Sequence, residues 1–175
     1  MRLLIPALLA LTFVGCSCQR QSQDSTDRDA ATAPAPQAAA PAAPSAAELR
    51  AQALEKQALQ ATSEAVDTLH AYLQKVGSGK TEEAGKHWAY QRQPRGSEES
   101  DLRSLKNLRS FRIENGPPKP LDQEAVPETL EIPVDLRATL ENGEGRRYTG
   151  WYRMRRNSVD RHWELTGTSI SVKLK

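Results

Sequence analysis

The strongest pattern in the chain is an alternation late in the sequence. Leu130, Ile132, Val134, Leu136, Ala138 and Leu140 are apolar, with Thr129, Glu131, Pro133, Asp135, Arg137, Thr139 and Glu141 between them. A period of two predicts a strand with one face on a core and the other in water. Pro133 has no backbone donor, so this strand is expected at a sheet edge or bulged there. Phe111 and Ile113 alternate with Arg112 and Glu114 in a shorter strand that ends at Asn115-Gly116-Pro117-Pro118. Tyr148, Tyr152 and Met154 stand at even positions of a third strand. Two apolar faces point the same way only if even pairs with even. The turn at Asn142-Gly143-Glu144-Gly145 must then hold an odd number of residues, with glycine in a left-handed bulge. A last strand carries Trp163 and Leu165 in one phase and Ile170, Val172 and Leu174 in the other, and Gly167 between them marks a second bulge.

Before residue 110 the period is helical. Ser45 followed by Glu48 makes a capping box, and nothing breaks a helix from Glu48 to Val76. Leu59, Val66, Leu69, Leu73 and Val76 form one stripe, flanked by Tyr72. The first half is rich in Ala, Glu and Lys, has little to bury and is expected to project or fray. Gly77 and Gly79 end the helix. A short second helix is predicted over Thr81–Trp88. A loop broken by Pro94 and Gly96 follows, and then a third helix capped by Ser100, with Leu102, Leu105 and Leu108 every third residue. The expected fold is α+β over residues 48–175: three N-terminal helices packed on a curved four-stranded antiparallel sheet.

What precedes the domain is of another kind. After Met1-Arg2, Leu3 to Val14 is almost wholly apolar, far shorter than the ~20 residues that span a bilayer as a helix. A signal-peptide core fits that length. The run ends in Phe13-Val14-Gly15-Cys16, which resembles the lipobox of bacterial lipoproteins, with Phe13 where that family usually has Leu. The resemblance implies removal of residues 1–15, fatty acylation of Cys16, palmitate among the acyl chains, and, with Ser17 following, export to the outer membrane. One acyl chain holds a protein only marginally, whereas several give a stable anchor. Residues 16–47 contain no Leu, Ile, Val or aromatic residue, and Pro34, Pro36, Pro41 and Pro44 extend the segment. Such a stretch is expected to be a disordered spacer.

Composition narrows the function. Of 175 residues 38% are hydrophobic, and 24 Lys and Arg oppose 22 Asp and Glu for a net charge of +2. That balance gives no argument for nucleic acid. The two cysteines, Cys16 and Cys18, both lie ahead of the domain, which excludes a disulfide scaffold.

The order of elements, with the segments LHAYLQKVGSGKTEEAGKHWA and HWELTG, resembles the nuclear transport factor 2-like superfamily. That is the cone fold shared by ketosteroid isomerases and SnoaL-like cyclases. The resemblance implies a cavity between helices and sheet, for which Tyr72, Trp88, Tyr148, Tyr152 and Trp163 are the candidate lining.

Chemistry inside such a cavity is hard to find in the sequence. His70, His87 and His162 are widely separated, and no metal-binding or nucleophile motif occurs. Gly77-Ser78-Gly79-Lys80-Thr81 lacks the spacing of a phosphate loop. No carboxylate shares the apolar face of a strand, so an acid–base pair would have to come from helices or loops. No catalytic residue, cofactor or metal is therefore expected. The candidate contact surface is Arg147, Trp151, Arg153 and Arg155, which share the outward parity of one strand; Trp and Arg are frequent interface anchors. The plainer expectation is that Glu131 and Asp135 pair across strands with Arg153 or Arg155. The whole reads as an outer-membrane lipoprotein facing the periplasm, held by its lipid and binding a protein of the envelope. Two alternatives are an immunity or inhibitor lipoprotein that neutralises an antibacterial effector, and an isomerase or cyclase acting on a small hydrophobic molecule.

Overall fold

Ser45 accepts a hydrogen bond from the Glu48 backbone, and Glu48 returns one to the Ser45 backbone. This reciprocal cap satisfies two amides that no helical turn can reach, and it opens a 32-residue helix, α1 (Ala46–Gly77). The computed structural model describes residues 43–91 and 99–173; the lipobox, Cys16 and nearly all of the spacer lie outside them. Among the described residues no helix is long and apolar enough to cross a membrane.

The buried face of α1 is not quite the stripe expected. Ala61, Ala65, Leu69, Tyr72, Leu73 and Val76 face the core, and Leu59 is 67% exposed. Small alanines, rather than the leucine, let the helix lie close to the sheet, and Tyr72 sits in the centre of the face instead of beside it. Two further α-helices among the described residues are single turns: α2 (Thr81–Gly85) and α3 (Ser100–Ser104). The second helix, expected to reach Trp88, ends at Gly85, and Trp88 instead forms an isolated parallel bridge with Leu165. The third stops before Leu105, whose backbone is already extended.

Five strands follow: β1 (Leu108–Asn115), β2 (Lys119–Pro120), β3 (Thr129–Leu140), β4 (Gly145–Arg156) and β5 (Trp163–Val172). They make an open antiparallel sheet in the order β1-β3-β4-β5, with the two-residue β2 also paired to β3. The class is thus α+β, one long helix followed by an antiparallel sheet. The strand β2 falls within the proline-bearing stretch that follows Pro118, where no periodic signal marks a strand.

Register follows from parity. Leu130 faces Met154, Ile132 faces Tyr152 and Leu136 faces Tyr148, even against even. The Leu140 amide donates to Glu144, and Gly143 has φ +85°, so the chain closes on a three-residue loop with a left-handed glycine. On β5 the register slips at Thr166, between the Arg153–Gly167 and Met154–Leu165 pairs, one residue from the glycine expected to mark it. Pro133 corrects an expectation. It lies inside the sheet, unbulged, opposite Trp151. Its other side faces the chain between β1 and β2, where only its carbonyl is used, accepting from Gly116, so the missing N–H leaves no ladder bond unmade.

Candidate functional site

The inner face of the sheet and α1 enclose a cluster of rings. Tyr72 meets Trp88 and Tyr152 edge-on, with centroids 5.9 and 5.8 Å apart. Edge-to-face contacts of this kind add a little to the burial of the rings themselves. Between the two phenols lies Glu99, at the entrance to α3, only 2% exposed. The Tyr72 hydroxyl donates to both carboxyl oxygens at 2.7 and 2.8 Å, and Tyr152 donates to one of them at 2.5 Å. Burial pushes the Glu99 carboxyl above its ordinary range, although the two phenols and the Arg103 charge favour ionisation. Burial, with the carboxylate beside them, pushes both phenols up in turn.

Three hydroxyl-bearing groups in hydrogen-bond contact could relay a proton. They would need a substrate in contact with them. Tyr72 and Tyr152 are fully buried, and the cluster is a polar clamp that joins α1, Glu99 at the start of α3, and β4.

The five side chains expected to line a cavity therefore separate. Tyr72, Trp88 and Tyr152 pack together. Tyr148 is buried with its hydroxyl donating to Asp101 at 2.7 Å; burial first, then that carboxylate, push its phenol to about 12. Trp163 is buried beneath the Arg156 guanidinium, 5.1 Å from the ring centre. Glu99 was missed because it stands in the run Ser97-Glu98-Glu99-Ser100, which reads as a solvated acidic start to a helix. Nothing in that run marks Glu99 as a residue to be buried.

No family model, curated protein or solved structure matches this chain. Its function has to be read from its own surfaces.

The outward face of the sheet divides the arginine candidates. Arg153 lies over the Trp151 ring at 4.3 Å and binds Glu131 at 3.0 Å. Arg155 binds the buried Glu164 at 2.8 Å and lies over Tyr90, 5.6 Å from the ring centre. Tyr90 is 79% exposed. Arg147 belongs elsewhere, with Asp135 at 3.1 Å. The expected exterior pairing thus holds for Glu131, while Asp135 and Arg155 take other partners. Lys75 donates to Nε2 of His87 at 2.9 Å. Burial, and then the Lys75 charge, hold that imidazole below its usual range. Among the described residues no group of three His, Cys, Asp or Glu could hold a metal.

Proposed function

We propose that the chain is a lipid-anchored envelope protein, attached through Cys16, whose domain binds a protein partner in the periplasm through the outer face of β4. The observation that carries this reading is the pair of aromatic–guanidinium stacks on that face. Trp151 with Arg153 and Tyr90 with Arg155 present two flat apolar surfaces edged by fixed charge. Rigid rings of this kind bury area at small entropic cost, and arginine supplies planar donors. Gly167 stands opposite Arg153, so no side chain there rises beside the Trp151 ring. An inhibitor of an antibacterial effector would use the same surface, and the cone fold remains our proposal for the architecture.

A photo-crosslinker replacing Trp151 in intact cells is expected to give one discrete protein adduct, lost on adding Arg153→Glu. Adducts that survive the charge reversal, or none at all, overturn the surface. Separately, Cys16→Ser is expected to move the protein to the soluble fraction and abolish labelling by palmitate. Continued membrane association overturns the anchor and leaves the surface standing.

The isomerase reading finds one observation in its favour, the Tyr72–Glu99–Tyr152 cluster. Its burial supports a role in folding instead.

A further inference from the structure

A row of cations crosses the outer face at one level. Arg112 on β1 stands directly opposite Arg137 on β3, and Arg137 directly opposite Arg147 on β4. The Lys173 amide, just beyond β5, donates to the Arg147 carbonyl, which brings a fourth cation alongside. Strands ~4.8 Å apart make this row about 14 Å long. Like charges directly opposite one another destabilise a sheet.

The neighbouring row compensates only half of it. Glu114 and Asp135 face each other on β1 and β3, and continue as Thr149 and Ser171 on β4 and β5. Glu114 pairs with Arg112 and Arg137, and Asp135 with Arg137 and Arg147. Partial burial works against ionisation of Asp135, but Arg147 and Arg137 overcome it and hold the carboxyl below its usual range. Two carboxylates thus serve three guanidiniums. At the β4–β5 end only hydroxyls stand opposite, and among the described residues Lys173 has no carboxylate partner. An open cleft of about 700 Å³ lies at that end, lined by Arg137, Arg147, Val172 and Lys173. Arg146, Glu144 and Asp101 also line it, and the two carboxylates are taken up by Arg146, at 2.9 and 3.4 Å.

We infer that this cleft binds a multiply charged phosphate ligand. Arg137 and Arg147 present planar forks suited to phosphate oxygens, and Lys173 adds a mobile point charge. Asp135 orients both forks while competing with the ligand for them. The site is separate from the stacked rings around Trp151 and does not depend on that surface. Phosphate of this kind can come from a lipid headgroup or from a free phosphorylated molecule.

The test uses the full chain in neutral detergent, with sodium tripolyphosphate as the probe in titration calorimetry. Saturable binding is expected, weakened about tenfold by Arg147→Gln and again by Lys173→Gln, the size of losing a charge-assisted hydrogen bond. Lys86→Gln, on an exposed position elsewhere, is expected to bind as the parent does. Asp135→Asn keeps the acceptor that orients the forks and removes the competing charge, so it is expected to bind several-fold more tightly. No saturable binding, an equal loss in Lys86→Gln, or no gain in Asp135→Asn overturns the site. A second arm uses phosphatidylglycerol vesicles against phosphatidylcholine vesicles. Arg147-dependent binding to the first alone assigns the phosphate to a headgroup. Binding of tripolyphosphate without vesicle binding assigns it to a free ligand.

Discussion

A carboxyl group placed among apolar side chains needs partners or a proton, because an isolated charge in that setting is too costly to keep. Glu99 has partners, the two phenol donors that hold it, and burial raises its affinity for a proton. The consequence for stability has a definite sign. A carboxyl whose folded pKa exceeds its unfolded value contributes fully while both states are protonated. It then costs stability as pH rises from the unfolded value, about 4.5, to the folded one. His87 acts in the opposite sense: its lowered pKa makes stability fall as pH drops through the unfolded value near 6.5. Urea unfolding of the parent and of Glu99→Gln across pH 4.5 to 8 separates the two. The difference between them is expected to grow in the variant's favour as pH rises. A difference flat with pH would show that Glu99 titrates alike in both states. This residue was invisible in the sequence, since a local pattern reports propensity and periodicity but not that the fold carries Glu99 inward.

At the scale of elements the sequence was most informative where a two-residue period is enforced by burial. A one-residue slip would turn Leu130, Ile132 and Leu136 into water, so the β3–β4 register and its odd loop follow from the side chains alone. Short elements are a different matter. The single turns α2 and α3 and the two-residue β2 bury too little for a periodic signal, and tertiary contacts such as the Trp88–Leu165 bridge decide where they end. Gly150 shows how closely the sheet is fitted: a Cβ there would lie 1.8 Å from the Ser169 carbonyl oxygen of the next strand. Backbone cannot yield as a side chain does, so Gly150→Ala is expected to cost about 3 kcal/mol or more, seen as a large drop in the urea midpoint. A midpoint within error of the parent would mean that β4 and β5 part easily. Along α1 the expected costs are uneven. Leu69 is fully buried and Leu54 is 44% exposed. Leu69→Ala is expected to lose about 3 kcal/mol, and Leu54→Gln less than about 0.5 kcal/mol, because the first three turns of the helix pack on nothing described. A comparable loss in Leu54→Gln would show that these turns do find a partner.

Over the whole molecule, what holds the fold and what faces the surroundings lie on opposite sides of one sheet. The inner side carries the apolar core, the tyrosine clamp and α1. The outer side carries a set of exposed ion pairs, among them Arg147–Asp135 and Arg153–Glu131, whose side chains are 41% and 30%, and 49% and 19% exposed. Exposed pairs contribute only ~0–1 kcal/mol each. Raising ionic strength from 0.1 to 1 M shortens the screening length from ~10 to ~3 Å, which weakens them further and slightly strengthens apolar burial. Stability and binding should therefore respond to salt in different ways. The urea midpoint of the full chain is expected to change little between 0.1 and 1 M sodium chloride, while its affinity for tripolyphosphate falls at least tenfold. Both are measured on the same sample, one by fluorescence of the buried tryptophans and the other by calorimetry. A large salt-induced loss of stability would mean that the outer ion pairs help to hold the fold. An affinity indifferent to salt would mean that the cleft holds its ligand by something other than the unbalanced end of the cationic row.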